Sequence, residues 1–123
     1  MRFLAWTTAL ALFLAGCDWG PSGPGTILAR ASGPDVGGAV LEISGSGIRG
    51  FTGRGSTRVY WAAVPGRADV FRVVLVDPAG GDMGFDLAVD DRGMDGPSVT
   101  VIAAAGTDNL LIPTRSVVVR FER

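Results

Sequence analysis

Residues 70–89 read Val70-Phe71-Arg72-Val73-Val74-Leu75-Val76-Asp77-Pro78-Ala79-Gly80-Gly81-Asp82-Met83-Gly84-Phe85-Asp86-Leu87-Ala88-Val89. Seven residues rich in β-branched and aromatic side chains favour a strand. Asp77-Pro78-Ala79-Gly80-Gly81 stops it, because proline lacks an amide donor and paired glycines favour a turn. Beyond the turn, Phe85, Leu87 and Val89 alternate with Asp86, Ala88 and Asp90, the period of a half-buried strand. In residues 70–76, Val73 and Leu75 share one face while Val74 and Val76 share the other. Both faces are apolar. The expectation is a central strand covered on each side, or one whose second face meets a partner.

The same grammar extends in both directions. Strand-like runs are expected at 26–31, 39–44, 48–52, 57–64, 99–105 and 116–121, with turn residues between them. Ser32-Gly33-Pro34-Asp35 and Gly37-Gly38 read together as one turn. The run at 48–52 is short and glycine-rich, which suits a sheet edge. Seven or eight short strands at this spacing predict an all-β antiparallel sandwich or barrel over residues 26–123. A parallel sheet needs crossovers of a dozen residues or more, and the chain has no room for them. Glycine (19 residues) and proline (7) are frequent, as many turns require, and the 47% apolar share is ample for a core.

The N-terminal segment follows other rules. Arg2 precedes a 13-residue apolar run, residues 3–15, and the run ends in Leu14-Ala15-Gly16-Cys17. Its length fits a cleaved signal helix and falls short of a membrane span. The tetrapeptide closely resembles the bacterial lipobox, in which small residues lead into a peptidase cleft and the cysteine thiol receives a diacylglyceryl group. That resemblance implies cleavage before Cys17, acylation of Cys17 and attachment to membrane lipid, with the domain facing the periplasm or exterior of a cell envelope. Two or three acyl chains anchor stably where one does not, at about 0.8 kcal/mol per buried methylene. Asp18 resembles an inner-membrane retention signal of some Gram-negative bacteria. Residues 17–25 then read as lipidated terminus and tether, since two prolines and three glycines fall within residues 18–25.

A second resemblance covers residues 24–121. Pro24-Gly25-Thr26-Ile27-Leu28, Gly38-Ala39-Val40-Leu41-Glu42-Ile43-Ser44-Gly45 and the valine-rich strand look like small lipoproteins of high-GC bacteria. Some of these are distantly similar to cohesin-type or immunoglobulin-like sandwiches. The resemblance implies the fold and carries no activity with it.

The chain has no histidine, so the commonest general base and metal ligand is missing. Cys17 is the only cysteine, which excludes an intramolecular disulfide and, with no histidine, a Cys/His zinc site. There is no G-x-S-x-G elbow. No catalytic residue, no metal site and no cofactor is therefore expected. A net charge of −1 gives no electrostatic case for nucleic acid. Gly45-Ser46-Gly47-Ile48-Arg49-Gly50 matches G-x-G-x-x-G, but a dinucleotide site needs a helix next, and Phe51-Thr52-Gly53-Arg54-Gly55 does not form one. A hairpin or bulge is expected there.

Charge is unevenly distributed. Residues 30–72 hold six arginines, and residues 77–108 hold seven aspartates against Arg92 alone. Solvated faces and turns account for most such patterns. One alternative is calcium: Gly80-Gly81-Asp82-Met83-Gly84-Phe85-Asp86 resembles a single calcium-binding nonapeptide, and a second loop holds Asp90, Asp91 and Asp95. Two such loops meeting would supply the oxygens that Ca²⁺ takes. Tyr60 and Trp61 are adjacent, so on a strand one faces the core and the other is available for contact. The functional expectation is a membrane-anchored, non-catalytic module that contacts an envelope protein or polymer. The alternatives are a calcium- or small-ligand-binding sandwich and, behind that, a small hydrolase built on a carboxylate pair.

Overall fold

The computed structural model describes residues 23–122. The expected signal helix, Cys17 and most of the expected tether lie outside them. Among the described residues nine strands run in chain order: β1 (Gly25–Ser32), β2 (Val36–Ser44), β3 (Ile48–Gly53), β4 (Arg58–Ala63), β5 (Val70–Val76), β6 (Met83–Val89), β7 (Ser98–Gly106), β8 (Leu111–Ile112) and β9 (Val118–Glu122). They form two antiparallel sheets, one of order β3-β6-β1-β9 and one of order β4-β5-β2-β7-β8. The β-sandwich expected from the sequence is present. The strand beyond the expected count is β8, two residues long, too short to leave a period.

The core lies between the sheets. β1 contributes Ile27, Ala29 and Ala31; β6 contributes Met83, Phe85, Leu87 and Val89; β2 contributes Ala39, Leu41 and Ile43; β5 contributes Val73 and Leu75. Each is every second residue, so alternation along the strand becomes layering in the fold. Burying a side chain such as Leu41 or Phe85 contributes about 1.5–3 kcal/mol. The small side chains of Ala29, Ala31 and Ala104 let the two sheets approach.

Gly37 and Gly38, read as part of a turn, belong to β2. The ladder to β7 shifts register between Val36 and Gly38, so Gly37 is an extra residue in a bulge. This is why Val36 and Ala39, three apart, are both buried. The turn itself is Gly33-Pro34-Asp35, closed by Asp35 at φ 55°. Gly45-Ser46-Gly47 carries the chain from one sheet to the other rather than joining paired strands. The expected bulge is there, between Ile48 and Gly50, opposite Val89 and Ala88. β3 is an edge, as its glycines suggested.

One side of the sandwich is closed by aromatic rings. Phe51 on β3 meets Trp61 on β4 edge to face at 5.5 Å, and Phe71 on β5 at 5.6 Å. On the opposite side β8 and the 3-10 turn Thr114–Ser116, which packs beside β7, carry the chain across to β9.

Candidate functional site

The cross-strand register of the five-stranded sheet places an apolar surface on its outward face. One row runs Tyr60, Val74, Val40, Ala103. The next runs Arg58, Val76, Gly38, Ala105, Leu111. A third is polar at its centre: Ala62, Arg72, Glu42, Thr100. Directly opposed residues point the same way, so these rows are contiguous on one surface. Tyr60 is 59% exposed and Leu111 84%. Val76 and Ile102 are also exposed. Gly38 has no side chain, and the surface dips over it between Val74, Val76, Ala103 and Leu111, in a depression of about 280 Å³.

Among the described residues nothing covers this face. Of the two expectations for this strand, cover on both faces does not hold among the described residues: Val73 and Leu75 are fully buried, and Val76 faces solvent. Trp61 points toward the core side and Tyr60 away from it, as alternation requires. Trp61 lies at the sheet's margin, however, and is still 43% exposed.

A larger, polar depression of about 570 Å³ lies at the end where the chain enters the domain, lined by Ser44, Gly47, Asp90, Asp91, Met94 and Asp95 among others. Two of its three carboxylates are already engaged. Asp90 pairs with Arg49 at 2.7 Å. Asp91 Oδ1 accepts the amides of Gly93 at 2.9 Å and Gly23 at 3.0 Å, and these bonds hold its pKa below the ordinary range. The amide of Arg92 donates to the Gly23 carbonyl at 2.8 Å. The depression is thus built by a clasp that fastens the start of the domain. Gly23 and Gly25, read as tether, are bound to the body by it, and β1 begins at Gly25.

The idea that two acidic loops meet around one ion does not survive the topology. Asp82 precedes β6 and Asp90 follows it, so the loops lie at opposite ends of a seven-residue strand, about 24 Å apart. Asp86, between them, pairs with Arg54 at 2.9 Å. Among the described residues no three carboxylates converge as a metal site.

A hydroxyl–carboxylate cluster stands at the distal end. Asp77 is buried and accepts from Ser56 Oγ, Thr57 Oγ1 and the Ala79 amide, each at 3.0 Å. Burial pushes its pKa up, but the bonds from Ala79, Ser56 and Thr57 together outweigh that and hold it low. A carboxylate so saturated is a poor proton acceptor, and the cluster ties the β3–β4 turn to the β5–β6 turn. Comparison with protein-family models, curated proteins and solved structures finds no match to this chain.

Proposed function

We propose that this protein is a lipid-anchored module of a bacterial cell envelope that works by contact with another envelope protein, through the outer face of its five-stranded sheet. The observation that carries the reading is the pair of apolar rows, from Tyr60 to Ala103 and from Val76 to Leu111, turned toward solvent on a rigid sheet. Scattered exposed apolar residues are ordinary, whereas a contiguous apolar patch with a polar margin marks an interaction site. The patch is shallow, with Arg58, Arg72, Glu42 and Thr100 along its border and Asn109 beside its depression. That chemistry suits an apolar protein surface better than a polysaccharide, which needs hydrogen-bonding partners throughout.

The anchor supports the reading from the sequence side. Leu14-Ala15-Gly16-Cys17 resembles the lipobox, and a lipid on Cys17 keeps the domain at the membrane surface. Catalysis has little to work with: there is no histidine, and the buried carboxylate Asp77 is held ionised by three donors.

A photoreactive amino acid at Tyr60 tests the contact surface in the native envelope. The expected result is one discrete heavier adduct, absent when the same group replaces Thr26 on the outer face of the other sheet. Adducts equally diffuse from both positions would sink the assignment. Cys17→Ala tests the anchor independently, with loss of palmitate labelling and of precursor processing expected.

A further inference from the structure

The side of the sandwich opposite the aromatic closure leaves a strand edge open. β7 is nine residues long, and β8 pairs with only two of them, Ala104 and Ala105. Among the described residues no strand pairs with residues 98–103 on that side. Ser98, Thr100 and Ile102 are exposed there.

Open edges of natural sheets are usually blunted by charge, proline or a strong bulge, because unpaired amides and carbonyls recruit another strand. β9, the edge of the other sheet on this side, is blunted in that way by Arg120 and Glu122. β7 has only the irregularity at Ile102, where its ladder to β2 shifts register. Its sequence, Ser98-Val99-Thr100-Val101-Ile102-Ala103-Ala104-Ala105-Gly106, contains no charge and no proline. Pro97 bounds the open window at one end, and β8 with the Thr114–Ser116 turn packed beside β7 bounds it at the other.

We propose that the β7 edge is a self-association site, at which a second copy of this chain pairs its own β7 antiparallel about a two-fold axis through Thr100. A symmetric antiparallel pair sets one residue opposite itself. Centring on Thr100 uses the window without meeting either boundary: Thr100 faces Thr100, Val99 faces Val101, and Ser98 faces Ile102. Centring on Ile102 would drive Thr100 of the copy into the place β8 holds beside Ala104. A Thr–Thr pair is favourable, and no like charges oppose each other along the window. The inference rests on the edge alone and stands whether or not the outer face has a partner.

The test is oxidative cross-linking of the full chain in its envelope, with Thr100→Cys compared to wild type and to Thr26→Cys. The expected result is a disulfide-linked species of twice the protein's own mass, about tenfold more abundant for Thr100→Cys than for either control. Ile102→Lys in the Thr100→Cys background adds charge to an exposed position without disturbing the core. It should cut that species about tenfold. No dimer from Thr100→Cys, a dimer equally strong in the controls or unchanged by Ile102→Lys, or an adduct of another mass would each overturn the proposal.

Discussion

The Thr57 hydroxyl donates to Asp77 Oδ2 at 3.0 Å, and both residues are buried. They come from two different turns at the end of the sandwich away from Gly23. Asp77→Ala leaves the Thr57 hydroxyl without its acceptor and should cost about 2 kcal/mol, a fall of about 10 °C in Tm for a domain this size. Thr57→Val removes one bond of three and should cost about half as much. Equal melting of Asp77→Ala and the parent protein would show that the cluster contributes nothing to stability.

Stability should depend on pH only on the acid side. Asp77, Asp91 and Glu42 all have folded pKa values below their ordinary 3.8, 3.8 and 4.5. For Asp77 burial opposes three donors, for Asp91 the Gly93 and Gly23 amides act, and for Glu42 the Arg67 bond comes first. A depressed carboxylate stabilises the native state above its unfolded pKa, and that contribution is lost as pH falls through the folded pKa. Tm should therefore be flat between about pH 6 and 8, where a histidine would titrate if there were one, and fall below about pH 4. A transition near neutrality in a melting series would refute this account.

Gly53 ends β3 with the Thr57 carbonyl so close that a Cβ there would collide with it. Because the obstacle is backbone, Gly53→Ala has to shift the β3–β4 turn. A cost of about 1–3 kcal/mol is expected, with the Ser56 and Thr57 bonds to Asp77 disturbed. Gly55→Ala is the comparison, two residues away with open space around it but with φ +59°, so its cost is conformational and smaller, about 1 kcal/mol. Chemical denaturation of both variants gives the ranking, and the reverse order would contradict it.

Calcium should leave the fold indifferent. With Asp82 and Asp90 at opposite ends of β6 and Asp90 paired to Arg49, no loop offers a set of free carboxylates. Millimolar calcium against excess chelator should move Tm by less than about 2 °C, where an ion at one hundred times its Kd would move it by about 10 °C. A large shift, lost on replacing Asp90 and Asp91 by asparagine, would promote the ligand-binding reading.

Much of this protein was legible without coordinates because strand periodicity is local. Phe85, Leu87 and Val89 declare a buried face by their spacing alone, and Asp77-Pro78 declares its stop. The resemblance around Cys17 is also local. What a strand's second face meets is not local. Val74 and Val76 read equally well as a covered face or as one that meets a partner, and among the described residues nothing covers them. The charge imbalance has the same origin. Arg49 and Arg54 in the basic half meet Asp90 and Asp86 in the acidic half because β3 pairs with β6, more than thirty residues on. Composition records both charges, while only the pairing decides that they neutralise each other. The bulge at Gly37, the clasp of Asp91 on Gly23 and the bare edge of β7 are likewise products of which strands become neighbours. Period depends on adjacent residues, and pairing depends on closing loops across the whole chain, so the sequence spells out the strands and the tertiary structure chooses their surfaces.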